Sequence, residues 1–449
     1  MKLQQKFRLG EHFNQSNTII IIASYPARKN RSIKAIDAVA SYTDHFAHSF
    51  RKVAAAHNTR VVVLAQKIDG EEWYKEGDIL VCRVWDKGSP LYSGQILTAL
   101  AFFPQVKSVL VQFEFHQFGG KLATAIFPLF LAGLRLTGKS VTLVLHQVVE
   151  DISTLWGHLN IQPHSIKTAI FNVLLHLFYQ FSSGTANATI VHSEIFAKRL
   201  ERITGKHDTI VVPHGLGAIR PTYSKRQARK ILGYKKRDYV VLSFGFLTWY
   251  KGSDWIIDTV AKTKRKNVKL LMAGGTSPNI QTAKHYQRFV DHIQESAKSH
   301  PNIRLTGFVE DGEIPLYFAA ADLVALPYRS LMSSSGPLAM TIAFKKPFLL
   351  SKILTPYTRD TDFSKTLRET GLTVSDISFS LHQKDFWNKV TAVKRHPKRF
   401  KKASALLRTQ RLWPTIATRF YDVVKNAGLE PAGKFAILQG STPATYAHT

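Results

Sequence analysis

A single lysine, Lys251, stands directly before Gly252 in the stretch 245–252 (GFLTWYKG), and a serine-rich loop runs from Tyr328 to a Gly336-Pro337 step. These two features could do chemistry on an anion. Residues 322–327 (DLVALP) read as a strand, and 338–344 as an apolar helix with Lys345 and Lys346 at its last turn. Proline suits a first helical turn, because its missing N–H would be unpaired there anyway. The spacing predicts free backbone N–H groups at Ser335, Gly336 and Leu338. With the helix dipole behind them they form an anion site, most naturally for a phosphate. Taken alone, the same Ser-Gly-Pro is also an ordinary capped helix.

The elements that must position these loops repeat as strand, loop, helix. Short β-branched runs alternate with longer amphipathic stretches, the pattern of parallel α/β sheets. Strands are expected at 18–23, 60–65, 79–84, 108–113, 140–145, 189–192 and 209–212, with helices such as 33–57 and 194–204 between them. The rhythm restarts at 239–244 and continues at 268–273, 302–305, 322–326 and 348–351. With 449 residues the chain is too long for one ordinary core. The expected architecture is two doubly wound, Rossmann-like domains facing a central cleft: residues 1–222, then 223–427, whose final helix packs back on the first domain. A partly ordered tail, 428–449, follows. In open parallel sheets ligands bind beyond the carboxyl ends of the strands. Gly, His, Lys and acidic residues gather in the loops at those ends: 25–32, 114–120, 146–151, 213–217, 245–252, 274–275, 307–312 and 328–336.

Lys and Arg number 61 against 31 Asp and Glu, a formal charge of +30. Such a surface is either solubilising or attracts anionic lipid, phosphorylated ligands or nucleic acid. Nucleic acid ranks last, because no recognition motif accompanies the charge. The single Cys82 excludes a disulfide framework and fits a reducing compartment. The N-terminal residues have no apolar core of a signal peptide. No run reaches the roughly 20 apolar residues of a membrane span, and 122–136 and 166–181 read as core helices.

Several chemistries are excluded. The first strand is not followed by GxGxxG, and no GxxxxGK[ST], GxSxG, HExxH or CxxC spacing occurs. His116, His146, His158 and His164 lack metal-ligand spacing.

The order of motifs resembles the GT-B glycosyltransferases, and most of all the large retaining group called family 4. The carrying residues are ASYPARKNRS, VQFEFHQFGG, LVLHQVVED, IVVPHG, FGFLTWYKGSDWII, LLMAGG, NIRLTGFVEDGEIPLYFAAADLVALPY and SSSGPLAMTIAFKKPFLLS. The late RLWPTIATRFYDVV is similar to the helix on which chains of this family end. The resemblance implies that Lys251 contacts the donor diphosphate, where a cation stabilises the leaving phosphate. It implies that Ser334, Ser335 and Gly336 bind the same diphosphate, and that Gly307 and Phe308 hold the base. His146 falls beside the transferred sugar, or is a core or hinge histidine. Arg28 and Asn30 lie on the first loop near the donor phosphates. Glu114 either faces the cleft or pairs with Arg28 or Lys29.

Two departures from the family pattern stand out. Met332 and Met340 occupy the positions of the usual glutamate pair, and Phe246 that of the usual arginine. The expected function is a retaining transfer of a hexose from a UDP- or GDP-linked sugar to an acceptor hydroxyl, such as that of a lipid-linked or polysaccharide precursor. No tightly bound cofactor and no metal are expected. The expected location is cytoplasmic, at most peripheral at the inner membrane face. The alternative is a non-catalytic sugar- or nucleotide-binding scaffold on the same fold; an epimerase of similar build ranks third.

Overall fold

The computed structural model describes residues 2–28, 38–217, 219, 222–278 and 280–427. Asn30 and the tail 428–449 lie outside them. The first sheet has eight strands: β1 (Thr18–Ile22), β2 (Arg60–Gln66), β3 (Trp73–Glu76), β4 (Ile79–Trp85), β5 (Ser108–Phe113), β6 (Ser140–Leu145), β7 (Ala188–Val191) and β8 (Ile210–Val211). Their order is β3-β4-β2-β1-β5-β6-β7-β8. The second sheet has β9 (Tyr239–Phe244), β10 (Val268–Ala273), β11 (Ile303–Leu305), β12 (Leu323–Leu326), β13 (Phe348–Ser351) and β14 (Ser378–Phe379), in the order β11-β10-β9-β12-β13-β14. All pairings are parallel except β3 with β4. The expected α/β class with two doubly wound sheets is therefore the observed one.

Helices cover both faces of each sheet, so central strands are apolar without alternation. All five residues of β1 (TIIII) are buried. Ile20 lies opposite Val62 on one side and Val109 on the other, so β-branched side chains mesh across three strands. The strand order reverses beside β1 in the first sheet and beside β9 in the second, and such switch points open a crevice at the carboxyl edge. Leu323 and Val324 of β12 lie opposite Val241 and Leu242 of β9. This pairing sends the loops that carry Lys251 and Ser335 out of the sheet as neighbours.

The chain ends by returning to the first sheet. The helix Trp413–Asn426 packs on the helix Ala38–Ala56. Phe46 and Phe420 have ring centroids 4.9 Å apart, and Thr59 Oγ1 is 2.8 Å from the Tyr421 hydroxyl. Leu216 forms a parallel bridge with Leu412 just before this helix. A Cβ on Gly215 would stand 2.3 Å from the Trp413 ring, which explains the glycine of the PHG turn. Arg411 donates to both carboxylate oxygens of Asp362 and to Asp360, 3.3 Å away. Asp360 also accepts from the Ser193 hydroxyl at 2.7 Å and the Glu194 N–H at 2.9 Å, tying the helix Glu194–Thr204 to the second half.

Two expectations are corrected. The helix Phe127–Leu136 buries Phe127, Phe130, Leu131 and Leu134, as a core helix should, but the helix Ile166–Thr185 does not follow suit: Ile166 is 80% exposed and most of its apolar residues face outward. A length-and-apolarity argument shows that a stripe exists but not which way it points. The strand β3 also went unread. It hairpins onto β4 through Gly77-Asp78, with Glu76 opposite Ile79 and Gly77 at φ 59°. That two-residue glycine turn was the available signal.

Candidate active site

Three glycines shape the floor of the crevice. Gly252 follows Lys251 at φ 70°, and a Cβ there would stand 2.0 Å from the Pro327 carbonyl oxygen. The loop after β9 can approach the end of β12 only because that side chain is absent. Gly274 approaches Gly245 as closely, its added Cβ 2.1 Å from the Gly245 carbonyl oxygen. Gly245 itself has φ 103°; a Cβ on it would meet Pro337 Cγ at 3.1 Å and Lys251 Nζ at 3.2 Å. The lysine and the start of the helix Gly336–Ala343 thus flank one glycine.

Arg329 locks the two loops together. It forks onto Asp254 at 2.6 and 2.8 Å and donates to the Trp249 carbonyl at 2.9 Å. Its backbone N–H donates to the Tyr250 carbonyl. Nothing in the sequence pattern singled out Arg329.

Lys251 is partly exposed, but its ammonium sits among rings, 5.8 Å from the Phe246 centroid and 5.7 Å from that of Tyr250. Burial pulls its pKa down to about 8. Among the described residues no carboxylate lies within ion-pair distance. A desolvated cation beside a helix N-terminus, with only ring faces for partners, favours an anion between them.

The helix start differs from expectation in one detail. Ser335 is the N-cap and its Oγ accepts the Leu338 N–H at 3.2 Å, so that N–H is used within the helix. The serine hydroxyl competes for the donor as any cap does. Gly336 is exposed, and Ser335 Oγ is also 2.9 Å from the Tyr328 hydroxyl. Ser334 Oγ is buried and has no hydrogen-bond partner among the described residues. The Ser334 N–H donates to the His146 carbonyl at 3.4 Å, and Gln147 bridges with Ser333. The loop after β6 is stitched in this way to the serine loop of the other sheet.

The His146 imidazole points away from that contact, into a buried cluster. Its Nε2 is 3.1 Å from Gln112 Oε1, and its ring centroid lies 4.7 Å from Tyr42 and 4.9 Å from His192. Burial, with His192 and His214 nearby, pushes its pKa well below the usual value, so the ring is neutral. Of the two readings of His146, its ring fits the core histidine, while its backbone reaches the candidate site.

Glu114 accepts from Gln147 Nε2 at 3.1 Å and from the His116 N–H at 3.0 Å. Arg28 lies elsewhere: its guanidinium is 5.2 Å from the Tyr74 ring of β3 and its N–H donates to Glu71. Arg83 of β4 holds the preceding carbonyls of Tyr25 and Pro26, which draws this loop toward the outer strands. Gly307, at φ 72°, bridges with Gly274, and Phe308 packs over Gly275 with its side chain 45% exposed. The loops after β10 and β11 therefore meet beside Gly245.

A segment of the first half covers this edge. Gly157 lies against the Trp249 indole, where an added Cβ would be 2.4 Å from the ring. His158 stacks edge-on with Tyr250 at 5.0 Å. Burial, then Lys251, His285 and His116, bring the His158 pKa down to about 4. Met332 lines a small cavity of about 70 Å³ with Leu331, Glu150, Asp151, Thr154 and Arg199. Glu150 is forked onto Arg202 at 2.6 Å, and Asp151 caps the turn at Ser153.

Residues 238–376 match the family model described as Glycosyl transferases group 1. The match covers both Lys251 and the serine loop. Among solved structures the chain is similar to sucrose-phosphate synthase from Thermosynechococcus elongatus, with TM-score 0.65 and 13% identity over 91% of this chain and 98% of that one. It is also similar to HepE from Anabaena in complex with UDP and glucose, with TM-score 0.58 and 14% identity over 91% and 99%. A UDP-forming trehalose-phosphate synthase from Burkholderia vietnamiensis gives TM-score 0.58 and 11% identity over 92% and 100%. No curated protein sequence matches the chain. The fold is the GT-B fold, and its second half carries the group 1 glycosyltransferase match.

Proposed function

We propose that the chain transfers a hexose from a nucleoside diphosphate sugar to an acceptor hydroxyl, with retention at the anomeric carbon. One observation carries this reading: Lys251 and the Ser335-Gly336 helix start flank Gly245 at the switch point of the second sheet, with no carboxylate paired to the lysine among the described residues. The diphosphate would lie between them. The ammonium and the helix dipole would take up charge as the phosphate leaves. Ser334 Oγ would donate to a phosphate oxygen, and Phe308 with Gly307 would hold the base. Residues 223–427 would bind the donor and residues 1–222 the acceptor. His146 would border the sugar and place Ser334 through its carbonyl. Retention follows if the acceptor hydroxyl attacks on the face the phosphate leaves, the departing oxygen taking its proton. Charge neutralisation by Lys251 and the helix needs no metal, so transfer should persist in a chelator. The acceptor would be a lipid-linked or polysaccharide precursor.

The test is a thermal-shift screen against UDP-, GDP- and ADP-sugars, followed by turnover with the donor that stabilises the protein. Absence of any shift would remove the donor site. One observation favours a second reading, sugar or nucleotide binding without transfer: Met332 and Met340 offer no hydrogen bonds where the family pattern has carboxylates. Stabilisation by a donor with neither transfer nor hydrolysis would decide for it.

A further inference from the structure

The helix Ile166–Thr185 is built inside out. Its buried residues, Thr168, Leu175, Tyr179 and Ser182, form a mixed inner face. Its outer face carries Ile166, Ile170, Val173, Leu174, Leu177 and Phe181, at successive spacings of 4, 3, 1, 3 and 4 residues, which is one stripe of a helix. These six range from 42% to 80% exposed. The neighbouring helix Phe127–Leu136 adds Leu129 and Leu136, seven residues apart and 72% and 89% exposed. A contiguous apolar stripe of this length marks an interaction surface.

Charge selects the partner. Between Asp151 and Glu194 the sequence contains no acidic residue, and between Glu114 and Glu150 none either. Exposed Lys167 lies on the striped helix, exposed Lys121 on the preceding short helix, and Lys206 Nζ lies 3.9 Å from where a Cβ on Gly184 would stand. Apolar side chains projecting from a helix that carries no acidic residue and is edged with lysine suit a bilayer with anionic headgroups. Among the described residues no helix is long and apolar enough to cross a membrane, so the contact would lie in the plane of the interface.

We infer that the helix Ile166–Thr185 docks this protein on an anionic lipid surface, its apolar stripe seated among acyl chains and its lysines at the headgroups. The inference does not rest on the sugar-transfer reading. It would, however, bring a lipid-linked acceptor to the first sheet.

The experiment is co-sedimentation of the full chain with vesicles of phosphatidylcholine alone and of phosphatidylcholine mixed with phosphatidylglycerol. Wild type should bind the mixed vesicles and release in high salt. Leu174→Asp combined with Phe181→Asp should lower that binding by at least about tenfold, since each removes buried apolar area and adds repulsion. Lys167→Glu should weaken binding to the mixed vesicles alone. All three sites are exposed, and unchanged melting temperatures would show that the variants fold. Equal binding by the double variant and wild type would overturn the inference. So would a lipid-free dimer that the double variant dissolves, with no vesicle binding, because the stripe would then belong to a second copy. No donor or turnover enters the readout, so a failed sugar-transfer assay leaves the result intact.

Discussion

Lys251 holds its ammonium 5.8 Å from the centroid of Phe246, five residues earlier on the same loop. Among the described residues no carboxylate pairs with this lysine, and Lys251→Ala should cut transfer by about two to three orders of magnitude. Steady-state kinetics with the donor found by thermal shift would check this. Unchanged turnover would exclude Lys251 from the mechanism.

Its pH dependence gives a second check. Burial brings the ammonium down to about 8, so its charge is lost as pH rises through that value. Donor affinity in the free enzyme should fall between about pH 7 and 9. Lys251→Arg should remove that fall, because a guanidinium stays charged throughout. A profile of kcat/KM that is identical in both proteins would refute the assignment.

Ser334→Ala separates binding from folding. Its Oγ is buried and bonds to nothing among the described residues, so removing it should leave the urea midpoint unchanged or raise it. Binding of a nucleoside diphosphate should nonetheless weaken about tenfold or more, the worth of a hydrogen bond to a charged group. Calorimetric titration showing no loss would take Ser334 out of the phosphate site.

Gly252→Ala tests why glycine follows the lysine. At φ 70°, with an added Cβ 2.0 Å from the Pro327 oxygen, the loop must shift. The cost should be about 2–3 kcal/mol, read from urea denaturation, with donor affinity reduced as Lys251 moves. A variant as stable as wild type would mean that the loop does not need this approach.

Asp360→Asn probes the knot around Arg411. Burial raises the Asp360 carboxyl to about 6, above its unfolded value, despite Arg411. The folded state then binds more protons than the unfolded state between about pH 4 and 6, so this group's contribution to stability declines as pH rises through that window. The substitution should therefore cost less at pH 7 than at pH 4.5. Denaturation curves at the two pH values would show the reverse order if Asp360 were instead stabilised in its ionised form.

Much of this was legible in the chain itself. Continuous apolar runs such as TIIII gave the parallel strands, and the run-in to Gly336-Pro337 gave the helix start. Glycines at fixed offsets, Gly252 above all, marked where two backbones come close. Contacts between distant segments were not legible. The Leu338 N–H was expected to be free but is taken by Ser335, because cap and anion compete for the same donor. The ring of His146 turns toward Tyr42 and His192, which lie 104 and 46 positions away in the chain. Arg28 follows the Tyr25 and Pro26 carbonyls toward Arg83, a partner no local pattern reveals. The outward apolar stripe on the helix Ile166–Thr185 has the period of a core helix, and period alone does not distinguish protein from lipid as its neighbour.

The bridge between Leu216 and Leu412 has a mechanical consequence. There the backbone leaves the first sheet and comes back to it side by side. Both crossings therefore run through one point of the molecule. A swing of one half against the other would bend them together and lengthen neither, so the halves could part without a strand leaving either sheet.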